Sequence, residues 1–298
     1  MARNFNPQIL LCLMLIVISA FGCAEDERQS AAVSDDVYNE WVVPLRQSMA
    51  SAESAGGGGE VVQLDPTGWA TITGRFVYDA PSAPVGVAFS TTSDPVCGAF
   101  NIRDESLMVN ANGMGLANVF VYLRTRGFGD PHESYVPGQE IVLANNGCRF
   151  EPHALAIWME NKIKVTNEDP TGHNTNCTAP GDPKGSFNES IPAGAFIVKE
   201  FGRSQPRPNE VKCSIHPWMS AKVLPRENPY FATTDADGNF RIENVPAGIE
   251  LEFQVLHELS GNLNADASWN NGRFKVTLQN DETHDMGVIS VGPALFGR

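Results

Sequence analysis

The residues best suited to chemistry in this chain are His173, Cys213, His216 and Met219. The first stands as His173-Asn174. The other three share the short stretch Cys213-Ser214-Ile215-His216-Pro217-Trp218-Met219. A thiolate, two imidazoles and a thioether form a soft donor set, suited to copper rather than magnesium or calcium, and together they are the ligands of a blue-copper electron-transfer centre. In that reading Cys213 binds as thiolate, His173 and His216 give the trigonal nitrogens, and Met219 is the long axial donor. A structural zinc site would more often recruit further Cys or His and no Met. Three donors on one loop and a fourth on a distant loop need a scaffold that fixes two loop ends together. The end of a β-sandwich does this.

The rest of the sequence supplies such a scaffold. Its 298 residues suffice for two domains, and 42% of them are hydrophobic, enough to bury a core. Gly (27) and Pro (20) are plentiful, and long helical patterns are scarce. Strand-like runs occur at 71–78, 116–123, 139–144, 149–158, 162–167 and 195–201, then at 209–213, 221–224, 240–242, 250–257, 273–278 and 287–291. Short strands at close spacing predict an all-β protein built of β-sandwiches.

The N-terminus reads as a targeting segment. Arg3 precedes an apolar run from Ile9 to Phe21, too short for a transmembrane helix and fitting a signal-peptide core. The run ends in Ala20-Phe21-Gly22-Cys23, which resembles a bacterial lipobox, with Ala20 where Leu is usual. That implies a signal over 1–22, lipidation at Cys23, and a membrane attachment through lipid only. An ordinary secretory signal is the alternative. Both place the mature chain outside the cytoplasm, in the cell envelope. Residues 23–66 read as an acidic flexible tether containing Gly56–Gly59, with a short amphipathic helix near 37–49 that Pro44 would bend or end.

Of six cysteines, Cys12 leaves with the signal, Cys23 would carry lipid and Cys213 is claimed by the metal. In an oxidising compartment a disulfide is expected among the remaining three. Strand-like contexts favour Cys97–Cys148. Cys177 would then be a free thiol near the site, or it replaces one member of that pair. The net charge of −14 argues against a nucleic-acid partner and suits a basic redox protein, although most acidic surfaces serve only solubility.

Two resemblances refine the picture. Cys148-Arg-Phe-Glu-Pro-His153, Asn167-Glu-Asp-Pro-Thr-Gly-His173-Asn174 and Cys213-Ser-Ile-His216-Pro-Trp-Met219 resemble the cupredoxins, with a short amicyanin-like ligand loop. The resemblance implies a Greek-key β-sandwich over 132–228 and one type 1 copper. It implies that Asn174 ties the two ligand loops through the Ser214 segment, and that His216 faces the surface through an apolar rim. Pro217 and Trp218 would form part of that rim, where a redox protein such as a cytochrome docks. Trp218 as a packed loop aromatic is the alternative. Separately, Phe231-Ala-Thr-Thr-Asp-Ala-Asp-Gly-Asn-Phe240, Val245-Pro-Ala-Gly248 and 250–255 resemble the carboxypeptidase regulatory-like, transthyretin-like β-sandwich. Its opening strands would lie in 67–131 and its remainder in 229–298, with the copper module inserted between. A simple tandem is the alternative.

No enzyme signature accompanies these motifs: there is no Gly-x-Ser-x-Gly, His-Glu-x-x-His or phosphate-binding Gly loop. The expectation is therefore not an enzyme, with no small-molecule substrate. A copper nitrite reductase would need a spare His cluster, and sparse Met (8) argues against copper storage. His153 reads as structural, and His132, His257 and His284 as loop or strand-end residues. Asp235-Ala-Asp237-Gly238 lacks the further calcium ligands of an EF-hand and reads as a hairpin turn. The competing function is a cell-surface carbohydrate- or protein-binding module in which the copper fold is structural. Trp69 and Trp269 would stack on sugars there, unless they pack in the core.

Overall fold

A computed structural model describes residues 63–297, and within them the chain is all β, with only two short 3-10 turns. The expected signal, the expected lipidation site Cys23, the expected helix near 37–49 and the tether up to residue 62 lie outside the described residues. No helix of the described residues is long and apolar enough to cross a membrane.

Strand β1 (Gly68–Tyr78) shows how the sequence makes the sheet. Its residues alternate half-buried and buried, the period of two that sends successive side chains to opposite faces. It pairs antiparallel with β13 (Asn239–Ala247) and parallel with β17 (Thr283–Val291). A second sheet holds β2 (Phe120–Leu123), β12 (Phe231–Thr233), β14 (Glu250–His257), β15 (Gly261–Asn262) and β16 (Arg273–Thr277), with β14 at its centre. Their shared core draws Ile72 and Phe76 from the early strands, Phe253 and Phe274 from the late ones, and Trp269 from the loop between β15 and β16. Trp269 is buried and stacks on Phe274 with centroids 5.2 Å apart, and Trp69 packs against Tyr230 and His132. Their rings serve the core, which removes them as sugar platforms. At the turn into β13, Asp235 Oδ1 accepts the Asp237 and Asn239 N–H groups. Gly238 follows at φ +82, where a Cβ would lie 2.0 Å from the Phe76 carbonyl oxygen, so only glycine fits.

The other two sheets come from residues 140–226. One orders β5 (Ala154–Trp158), β11 (Ser220–Arg226), β10 (Asn209–Lys212), β7 (His173–Thr178) and β8 (Phe187–Ile191). The other orders β4 (Arg149–Glu151), β3 (Glu140–Asn146), β6 (Lys162–Asn167) and β9 (Phe196–Lys199). Leu143, Phe150, Ile163, Val165 and Val211 fill the space between them. A small cluster of Phe120, Tyr122, Ala154, Leu224 and Leu256 joins this part to the first.

Three features depart from the expected strands. The run 149–158 is two strands in different sheets, because Pro152 has no N–H to continue a ladder. The polar segments His-Asn-Thr-Asn-Cys-Thr and Phe-Asn-Glu-Ser-Ile are β7 and β8, although their composition gives little strand signal. The stretch between β1 and β2, expected to belong wholly to the first sandwich, sends Cys97 and Ile102 into the second core. A Cys97–Cys148 disulfide holds it there. Cys177 is free and buried, and burial pushes its thiol up to about 12, so it stays protonated and unreactive.

His257 at the end of β14 is buried beside the Phe296 ring. Burial drives it from 6.5 down to about 4, with the Glu258 carboxylate opposing and His153 adding to the shift. The unfolded chain takes up this proton first. The contribution to stability is complete above pH 6.5 and is lost as pH falls towards 4, up to about 3 kcal/mol. Denaturation midpoints of His257→Gln between these pH values should show a flatter pH slope than those of the parent. Parallel slopes would refute the assignment.

Candidate metal centre

The register of three strands builds the site. β10 runs antiparallel to both β7 and β11, pairing Lys212 with Asn176 and with Ser220. The chain leaving β10 at Cys213 and the chain entering β7 at His173 therefore meet at one end of the sheet. The intervening loop closes on itself: Met219 N–H donates to the His216 carbonyl at 2.9 Å, and Cys213 N–H to the Met219 carbonyl at 3.2 Å. Asn174 Oδ1 accepts the Ser214 N–H and so ties the two loops, while the Asn174 N–H points at Cys213 Sγ, 3.4 Å away.

His173, Cys213 and His216 each present a donor atom, all within 4.8 Å of one another. His173 Nδ1 lies 2.8 Å from His216 Nδ1, and Cys213 Sγ lies 3.7 Å from the latter. All three are almost fully buried, as is Met219, which packs in the same core as Cys213. Among the described residues two further groups of side chains lie close enough to hold an ion, but each includes Cys97 or Cys148, whose sulfurs are spent in the disulfide.

The far side of each imidazole explains the near side. His173 Nε2 is 2.8 Å from Asp169 Oδ2, and His216 Nε2 is 3.2 Å from Asp94 Oδ2. An ionised carboxylate only accepts, so each Nε2 carries its proton, and with both rings neutral each Nδ1 presents a lone pair. Two lone pairs and a sulfur then converge in a buried space. That arrangement is repulsive by itself and is relieved by a cation among the three atoms, so the residues present fit a soft transition metal. Burial lowers the His173 pKa, His216 lowers it further, and Asp169 opposes both. The Asp94 carboxylate is held below its usual range, first by the Cys97 N–H and then by Val96 N–H and His216, against a smaller opposing effect of burial.

One expectation is corrected. His216 does not face solvent through an apolar rim, because it is only 3% exposed and Asp94, from the stretch between β1 and β2, covers its Nε2 edge. Pro217 and Ile215 are exposed. Trp218 is half-buried, tilted on the His216 ring at 5.3 Å and donating its indole N–H to the Cys148 carbonyl. Asp169 and Asp94 are the site residues that sequence reasoning missed. An acid four positions before the first histidine was a readable sign of Asp169. Nothing local marks Asp94, which lies 122 positions from its partner.

No family model matches the chain, and no curated protein does. Solved structures align with part of it. A reduced Cu(I) form of an amicyanin mutant is 17% identical, covering 36% of this chain and 98% of that one, at a TM-score of 0.27. A purple cupredoxin from Nitrosopumilus maritimus is 20% identical, with 30% and 99% covered and a TM-score of 0.25. A Cu-containing nitrite reductase from Thermus scotoductus SA-01 is 20% identical over 31% of this chain and only 23% of its own, at 0.27. At such scores the meaning of the site rests on its own geometry.

Proposed function

We propose that this chain is a one-copper electron-transfer protein, with residues 132–228 as a copper module inserted into a discontinuous second sandwich. The observation that carries the reading is the convergence of two lone-pair nitrogens and one sulfur, each imidazole held from behind by a carboxylate. His173, Cys213 and His216 would hold the metal, with Met219 beside them. Copper would supply one-electron exchange between its two oxidation states.

The chain's own contribution is rigidity. Asp169 and Asp94 orient the rings, the Asn174–Ser214 bond locks one loop to the other, and the Asn174 N–H supports the sulfur. Burial of all four side chains keeps water out. Ligands that cannot move demand little rearrangement when an electron arrives or leaves, and no general base or substrate pocket is needed. We read the protein as a carrier rather than an enzyme, exported to the cell envelope and held through lipid on Cys23. Its partner is a redox protein such as a cytochrome, which would dock beside Pro217 and Trp218. A disulfide within the fold agrees with an oxidising compartment.

Titrating the metal-free protein with Cu(II) should produce an intense visible colour that saturates at one equivalent, and Cys213→Ser should abolish it. A wild-type protein that stays colourless while binding copper would sink the proposal.

A further inference from the structure

A cleft of about 860 Å3 opens between β2, the end of β11 and the loop before β10, away from the metal ligands. Its size is that of a small-molecule site, about 300–1,000 Å3. Arg124, Arg126, Arg203 and Arg226 line it, with Tyr122 and a single carboxylate, Glu227. This concentration of positive charge is unexpected in a chain of net charge −14.

The partners of these groups do not balance them. Arg226 is 4% exposed, with its guanidinium 4.0 Å above the Tyr122 ring. It donates to the Gln205 carbonyl at 2.7 Å and reaches Glu227 Oε1 at 3.3 Å, yet its buried Nε has no partner. Arg126 Nε binds that same Glu227 oxygen at 2.8 Å. Arg124 is paired with Glu252, and Arg203 joins no ion pair among the described residues. One carboxylate therefore serves two guanidinium groups, and a third has none. A buried donor or acceptor left unmade costs about 1–3 kcal/mol, more when charged. Arg126 and Arg203 are the exposed cations of this cleft, and Arg203 stands there with no carboxylate of its own.

We propose that this cleft binds a small polyanion carrying carboxylate or phosphate oxygens. The anionic oxygens answer the arginines, whose planar forks match carboxylate and phosphate geometry. The site is independent of copper, so it stands or falls apart from the electron-transfer reading.

The test is calorimetric titration of the protein with citrate and, separately, glucose 6-phosphate, at two salt concentrations. At least one probe should bind saturably at one per chain and more weakly in high salt. Which probe binds tells carboxylate from phosphate. Arg126→Gln and Arg203→Gln alter exposed side chains, so both variants should keep the parental melting point, and each should weaken binding about tenfold or more. Arg241→Gln, elsewhere on the surface, should leave it unchanged. The proposal is overturned if neither probe saturates below about 1 mM, or if binding is indifferent to both cleft variants.

Discussion

Asp169→Ala should lower the unfolding free energy by about 4 kcal/mol or more. Its side chain is nearly buried and serves three donors at once. Oδ1 accepts the Gly147 N–H at 2.8 Å, and Oδ2 accepts the Cys148 N–H at 2.9 Å and the His173 Nε2–H at 2.8 Å. Alanine strands all three, and each stranded buried donor costs about 1–3 kcal/mol. The turn between β3 and β4 would lose its anchor to the segment ahead of β7. Asp169→Asn keeps one acceptor oxygen but turns an NH2 group towards donors, so it should fall between alanine and wild type. The same substitutions release the His173 tautomer, and metal affinity should drop about 10–100-fold. Urea denaturation measures the first effect, and competition for copper against a chelator measures the second. A loss below about 1 kcal/mol in Asp169→Ala would mean that the three donors find water instead.

Removing the Cys97–Cys148 bond as a Cys97→Ala, Cys148→Ala pair should cost about as much. The two residues lie 51 positions apart, and closing a loop of that length in the unfolded chain corresponds to about 4 kcal/mol in the chain-entropy account. A second consequence concerns the metal site. Asp94 accepts the Val96 and Cys97 N–H groups, so the disulfide fixes the very turn whose carboxylate holds His216. Without the bond that turn keeps Val96, Ile102 and its local backbone hydrogen bonds but loses its covalent anchor. The copper-loaded variant should show a shifted visible spectrum as well as a lower denaturation midpoint. A variant with the parental spectrum would show that Asp94 stays seated without the bond. An unchanged midpoint would remove the entropic argument.

Sequence alone determined what was local. Three donors within seven residues, closed between two strand-like runs, require one tight loop at a sheet end, and the spacing makes that legible without coordinates. The alternation in β1 marks a half-buried strand for the same reason, because side-chain direction repeats every two residues. Tertiary structure decided what depends on contacts between distant segments. β7 and β8 are too polar to announce themselves and are strands because β10 offers a ladder edge to the first of them. Pro152 divides one apparent strand between two sheets. Asp94 reaches His216 from a stretch that the transthyretin-like resemblance assigned to the other sandwich, and four arginines scattered from 124 to 226 face a single cleft. None of these has a periodicity or a spacing to read. Burial makes a carboxylate behind an imidazole, or a guanidinium without a partner, consequential, and burial is a property of the assembled chain.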